Sequence, residues 1–230
     1  MKQQLYREID PVLPAAAVVA SSTSALCMSD LQQGLVNRGR YVVGHPFNPV
    51  HLIPAVEVVG GRETDSATVE WASTFYRKLG KQVIRLHKEM PGHLIDRLQG
   101  AIFREALHVV MEGIADVEAV DRGIAYGPGL RWSLMGIFLT WHLAAGPGGM
   151  RDYLTRYSDT FERMWKDLGS PHITPDVVER IVAGVAAETR GRTVQELIEE
   201  RDALLVPLLT TLSAKGTKLS GESSASWWTR

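Results

Sequence analysis

The chain has 230 residues, 45% of them hydrophobic and 22% charged, with a formal net charge of -1; this supports one or two buried cores and excludes a disordered protein. A net charge near zero offers no field for nucleic acid or an anionic membrane, so a small-molecule partner met by local residues is expected. Cys27 is the single cysteine, which excludes an internal disulfide and a multi-cysteine metal site and fits the cytoplasm.

Residues 2–13 read as the end of a helix and a turn. The apolar run 15–20 has the length and bounds of a buried, parallel strand, and it is too short to span a bilayer. Further short apolar runs at 41–44, 55–59 and 82–86 predict three more strands. Between the last two, Val69, Ala72, Phe75, Tyr76 and Leu79 recur at helical spacing over 65–79, and Gly80 is a natural stop. Strand, helix, strand means an α/β layer. From Gly92 to Gly113, Leu94, Leu98, Ile102, Ala106 and Val109 or Val110 form one apolar stripe, the mark of a long amphipathic helix. A short helix at 117–124, a Gly-Pro-Gly turn at 127–129, and helices at 133–145, 149–168, 174–187 and 193–213 follow. No strand signal occurs after residue 89. The tail 213–230 is too poor in apolar residues to order itself, despite Trp227 and Trp228.

Three segments carry a resemblance. Val43-Gly-His-Pro-Phe-Asn-Pro-Val-His-Leu-Ile-Pro-Ala-Val-Glu-Val58 is similar to the signature of the 3-hydroxyacyl-CoA dehydrogenase family, in which a His opens a Phe-Asn-Pro turn and a Glu follows on the next strand. Upstream, Ala20-Ser-Ser-Thr-Ser-Ala-Leu26 resembles the family's Ala-Ser-Asn-Thr-Ser-Ser-Leu strand end. Downstream, Pro91-Gly-His-Leu-Ile-Asp-Arg-Leu98 resembles its Pro-Gly-Phe helix start. Three motifs in family order are far stronger than one. The resemblance implies the C-terminal part of a Rossmann-type NAD-binding domain at 1–89, an all-α substrate and dimerisation domain at 90–212, and a homodimer. It also implies His45 as catalytic base, Glu57 as its orienting carboxylate, Ser24 as a hydroxyl touching both substrate and cofactor, and Asn48 beside the NAD. The chemistry suits these types. A carbinol carbon yields hydride readily only as its hydroxyl proton departs, so a neutral imidazole is the natural base near pH 7. Taken singly, His45 could be a turn residue, Glu57 an edge-strand carboxylate and Ser24 a helix N-cap.

Asp96 stands where most of the family has Asn, and Gly127-Pro-Gly-Leu-Arg-Trp-Ser-Leu-Met-Gly136 departs from the fatty-acyl enzymes. Arg131 followed by Trp132 resembles the carnitine dehydrogenase and lambda-crystallin branch, whose substrates are free hydroxy acids. A guanidinium pairs both oxygens of a free carboxylate, and aromatic faces with a carboxylate such as Asp96 suit a quaternary ammonium. Asp96, Arg131 and Trp132 are therefore candidate substrate-binding residues, with Tyr126, Phe138 and Trp141 nearby. Alternatively, Asp96 is an ordinary acidic residue of a first helical turn and the aromatics are helix core. His51, His87, His93, His108, His142 and His172 share no ligand spacing and read as surface or core histidines, so no metal is expected. The family's Gly-x-Gly-x-x-Gly turn would belong upstream of Met1, so weak NAD binding and little activity are expected of this chain by itself. Two other readings are a 3-hydroxyacyl-CoA dehydrogenase of fatty-acid oxidation and a non-catalytic helical assembly module.

Overall fold

The computed structural model describes residues 1–214, so the expected flexible tail, apart from its first two residues, lies outside the described residues. Ser213 and Ala214 are the end of a helix. The chain divides into two compact units, Met1–Gln99 and the residues from Gly100 onward. In unit 1 the elements run α1 (Lys2–Ile9), β1 (Val19–Ser21), α2 (Met28–Leu31), β2 (Tyr41–Pro46), β3 (Ala55–Gly60), α3 (Ser66–Lys78) and β4 (Gln82–Arg85). The sheet order is β1-β2-β3-β4; β1 is parallel to β2, β2 antiparallel to β3, and β3 parallel to β4.

The sheet is covered on both faces. Tyr41 and Val43 of β2 and Val59 of β3 pack with Tyr6, Met28, Leu31 and Leu35. Val42, Val56 and Val58 point the opposite way, toward Val69 and Ala72 of α3. Strands buried on both sides read as continuous apolar runs rather than alternating ones, as β2 and β3 do. α3 keeps its predicted bounds because Asp65 takes the N-cap position with extended backbone and Gly80, at φ 78°, ends it in the left-handed region. The first strand is shorter than expected: Pro14 accepts a hydrogen bond from Ala17 N at 2.9 Å, so the run opens in a turn and only Val19–Ser21 pairs.

A buried ion pair locks α1 to the segment ahead of β2. Arg40 donates to Asp10 Oδ1 from two nitrogens at 2.9 and 3.3 Å, Tyr41 donates its hydroxyl at 3.1 Å, and the amides of Val36 and Asn37 donate to Oδ2 at 2.8 and 3.0 Å. Burial alone would push the Asp10 carboxyl up, but these donors outweigh it and hold it at about 2. The sign follows: a carboxyl lowered by folding contributes stability above pH 4 that fades as pH falls toward 2. Arg40→Met removes the partner of a buried charge and is expected to cost about 3 kcal/mol at neutral pH, with a smaller penalty at pH 2.5; urea unfolding at both pH values measures it. Equal penalties at the two pH values would count against the pair.

Helix α4 (Ile95–Met111) follows, then α5 (Val117–Tyr126), α6 (Pro128–Trp132), α7 (Ile137–Ala144), α8 (Gly149–Asp167), α9 (Pro175–Thr189) and α10 (Val194–Ala214). Asp116 caps α5 by accepting from Ala119 N at 2.8 Å, and Thr174 caps α9. The expected Gly-Pro-Gly turn instead starts a helix: Gly127 is the N-cap of α6 and Pro128 its first residue, where proline's missing N–H costs nothing. Unit 2 buries little. The stripe predicted on α4 is covered only toward its C-terminal end, where Val110 and the neighbouring Leu107 are buried, whereas Leu98 is 55% and Ile102 38% exposed.

Candidate active site

The two residues that matter most lie across a ladder. In the antiparallel register of β2 and β3, His45 is the direct partner of Glu57, so both side chains emerge on one face of the sheet. His45 Nδ1 is 2.9 Å from Glu57 Oε2, with Glu57 fully buried and His45 nearly so. A carboxylate accepts only, so Nδ1 carries the proton and Nε2 keeps the lone pair that a general base needs. The second Glu57 oxygen accepts from the amides of Leu94 and Ile95 at 2.9 and 2.8 Å. Those amides open α4 and have no partner within the helix, so Glu57 caps α4 while it orients His45.

That cap fixes what lies beside the base. Asp96, in the first turn of α4, brings Oδ2 to 3.8 Å from His45 Nε2. This is too long for a hydrogen bond but well within reach of its charge. Asp96 is thus both an acidic first-turn residue and a neighbour of the reactive nitrogen. Phe47 packs against the His45 ring at 4.4 Å between centroids. Ser24 lies exposed in the bend after β1, and Asn48 is exposed in the connection after β2. Because β1 and β2 run parallel, both residues follow the carboxyl ends of adjacent strands, the edge of an α/β sheet where ligands bind.

Sequence reasoning missed His93. It is fully buried, its ring centroid is 5.5 Å from that of His45, and its Nε2 is 2.9 Å from the Thr23 carbonyl. Its place two residues after Pro91, at the helix start, was the available signal.

In unit 2, Arg131 lies on α6, exposed, with its guanidinium 6.0 Å from the centre of the Trp141 ring. Trp141 stacks on Tyr153 at 5.0 Å, and Phe161 closes the cluster. The four aromatics singled out in the sequence divide: Trp141 is packed, Trp132 is half-buried, and Tyr126 and Phe138 are 74% and 77% exposed, so the last two are not helix core. Among the described residues no group of three or more His, Cys, Asp or Glu could hold a metal ion, and no helix is long and apolar enough to cross a membrane.

The donor set suits a nicotinamide. A Ser hydroxyl and an Asn amide at the strand ends can each donate and accept, as a carboxamide requires, and Ser21 Oγ, buried at the last residue of β1, has no protein partner. Comparison with known proteins agrees. Residues 1–90 match the profile of the 3-hydroxyacyl-CoA dehydrogenase NAD binding domain, and residues 92–189 that of the 3-hydroxyacyl-CoA dehydrogenase C-terminal domain. L-carnitine dehydrogenase of Nocardiopsis dassonvillei is 46% identical over 212 residues, covering 92% of this chain and 64% of that protein. L-carnitine dehydrogenase of Bacillus cereus is 42% identical over 224 residues, covering 96% and 69%. This chain therefore spans about two thirds of the length of these relatives. Among solved structures, an NAD+-dependent dismutase, 5-formyl-3-hydroxy-2-methylpyridine 4-carboxylic acid 5-dehydrogenase, superposes with a TM-score of 0.73 at 26% identity, covering 92% of this chain and 69% of that one. The 3-hydroxyacyl-CoA dehydrogenase of Archaeoglobus fulgidus gives 0.58 at 28%, covering 92% and 72%. With both domain profiles matched in order and a buried His–Glu pair at the strand ends, the chain belongs to the 3-hydroxyacyl-CoA dehydrogenase family of NAD-dependent oxidoreductases.

Proposed function

We propose that this protein oxidises the 3-hydroxyl of a small, free 3-hydroxy acid of the L-carnitine type to the 3-oxo acid, in the cytoplasm and as a homodimer. The observation that carries the reading is His45 held between Glu57 at 2.9 Å and Asp96 at 3.8 Å. NAD, when bound, accepts the hydride from the carbinol carbon. His45 Nε2 takes the hydroxyl proton as the carbonyl forms, and the Glu57 carboxylate balances the resulting imidazolium. Ser24 holds the same oxygen in both oxidation states, because a hydroxyl donates and accepts. In carnitine the trimethylammonium is one methylene from the carbinol carbon, so it would lie next to whichever group flanks the base. Asp96 supplies the opposite charge there. Arg131 and Trp132 are proposed to bind substrate on chemistry alone: a guanidinium recognises a free carboxylate and an aromatic face a cation. The dimer reading rests on bare apolar stripes, such as Val178, Val182 and Val185 on α9, each at least 43% exposed.

The test compares kcat/KM of the full-length protein for L-carnitine, 3-hydroxybutyrate and a 3-hydroxyacyl-CoA. The expected order places carnitine first, with Arg131→Met raising KM for the free acid and leaving kcat nearly unchanged, since a carboxylate is held alike in ground and transition states. Preference for the thioester, with no penalty from Arg131→Met, overturns the reading.

A further inference from the structure

His93 combines three features that a filler residue would not need. Its side chain is fully buried, its backbone adopts φ 47°, a region few non-glycine residues enter, and its Nδ1 is buried without a hydrogen-bond partner. The left-handed backbone and the stranded nitrogen each cost stability. An apolar ring would fill the space without stranding a polar nitrogen. What only the imidazole adds is the contact of Nε2 with the Thr23 carbonyl at 2.9 Å. A carbonyl accepts, so Nε2 carries the proton and Nδ1 is the bare lone pair.

Thr23 is the residue before Ser24, and its surroundings are braced. Thr23 Oγ1 accepts from the amides of Ala25 and Leu26 at 3.4 and 3.1 Å, and the Ala25 carbonyl accepts from Gly92 N at 3.4 Å. On the far side of His93, Leu94 and Ile95 donate to Glu57, which holds His45. Hydrogen bonds on either side of His93, linked through its own backbone, thus join the Ser24 bend, the start of α4, Glu57 and His45.

We infer that His93 is a positioning residue: its Nε2–H ties the Ser24 bend to the start of α4, so that the hydroxyl of Ser24 and the imidazole of His45 keep one fixed separation. The inference rests on the functional reading above for its catalytic consequence, and on the Thr23 contact alone for its structural one. Positioning acts on the geometry of the reacting groups, and its loss is read in kcat.

The test uses the full-length protein and three variants or states. In His93→Phe the ring stays and the donor goes; amide hydrogen exchange at Ala25 and Leu26, measured without cofactor, should quicken at least about tenfold, and kcat should fall about tenfold. His93→Gln, whose amide nitrogen can donate to the same carbonyl, should restore much of both. In the unsubstituted protein, nitrogen-15 spectra should show His93 protonated at Nε2, a measurement that stands even if His93→Phe fails to fold. The inference is overturned by native exchange and kcat in His93→Phe, by faster exchange with native kcat, by a Gln variant no better than Phe, or by a proton on Nδ1. Absence of dehydrogenase turnover in the unsubstituted protein would instead defeat the functional reading, while exchange and the nitrogen-15 spectra still decide the tie to Thr23.

Discussion

His45→Ala in the full-length protein is expected to lower kcat for the hydroxy acid by about a thousandfold, while NAD binding changes little. The reason is local. Hydride transfer from the carbinol carbon is coupled to loss of the hydroxyl proton, and the lone pair of His45 Nε2 is the acceptor that Glu57 leaves available by holding Nδ1. Glu57→Gln should lower kcat by roughly a hundredfold through a different route. Glu57 accepts three hydrogen bonds, one at Oε2 and two at Oε1. A glutamine has one acceptor and one donor end. If its NH2 turns toward Leu94 and Ile95 it meets two N–H groups; if it turns toward His45 it imposes the tautomer whose Nε2 is protonated. Either way the base is disarmed or α4 loses its cap. Rapid-mixing kinetics with saturating NAD separates the chemical step from binding. A His45→Ala variant with more than a tenth of native kcat would remove His45 from the mechanism.

Asp96→Asn is expected to lower kcat/KM for L-carnitine by about tenfold to a hundredfold more than for an uncharged 3-hydroxy acid. Opposite unit charges about 5 Å apart near a protein surface attract by roughly 3 kcal/mol, reduced here because Asp96 is about one third exposed; tenfold corresponds to about 1.4 kcal/mol. The control is needed because Asp96 acts on the base as well. At 3.8 Å from Nε2, it is also part of the immediate surroundings of the base whatever the substrate, so removing it should slow both reactions somewhat. That common loss belongs to the base, and only the excess for carnitine belongs to the ammonium. Equal losses for carnitine and 3-hydroxybutyrate would show that Asp96 does not bind the substrate cation.

Much of this was legible in local chemistry. Asp65 and Gly80 mark the ends of α3 because extended backbone at the one and positive φ at the other are local requirements, and the apolar runs of β2 and β3 announce strands buried on both faces. The three motifs around Ser24, His45 and Asp96 likewise identify a family from one-dimensional spacing. Local chemistry misread the run at 15–20, because apolar content does not reveal that Ala17 would close a turn on Pro14. It also misread the Gly-Pro-Gly segment, whose residues serve a helix start as readily as a turn.

What the sequence by itself determined is the set of elements and the residue types the chemistry needs, since propensity, caps and motif spacing act within a few residues of each other. What only the tertiary structure decided is their coincidence. The separation of twelve positions between His45 and Glu57 means nothing until the antiparallel register makes them partners. Asp96 is an ordinary first-turn acid until the capping of α4 by Glu57 swings it to the open side of His45. His93 looked like any core histidine for the same reason: its side-chain hydrogen bond reaches seventy residues back, to Thr23, and contacts at that range are set by how strands pair and helices pack, which no local pattern encodes.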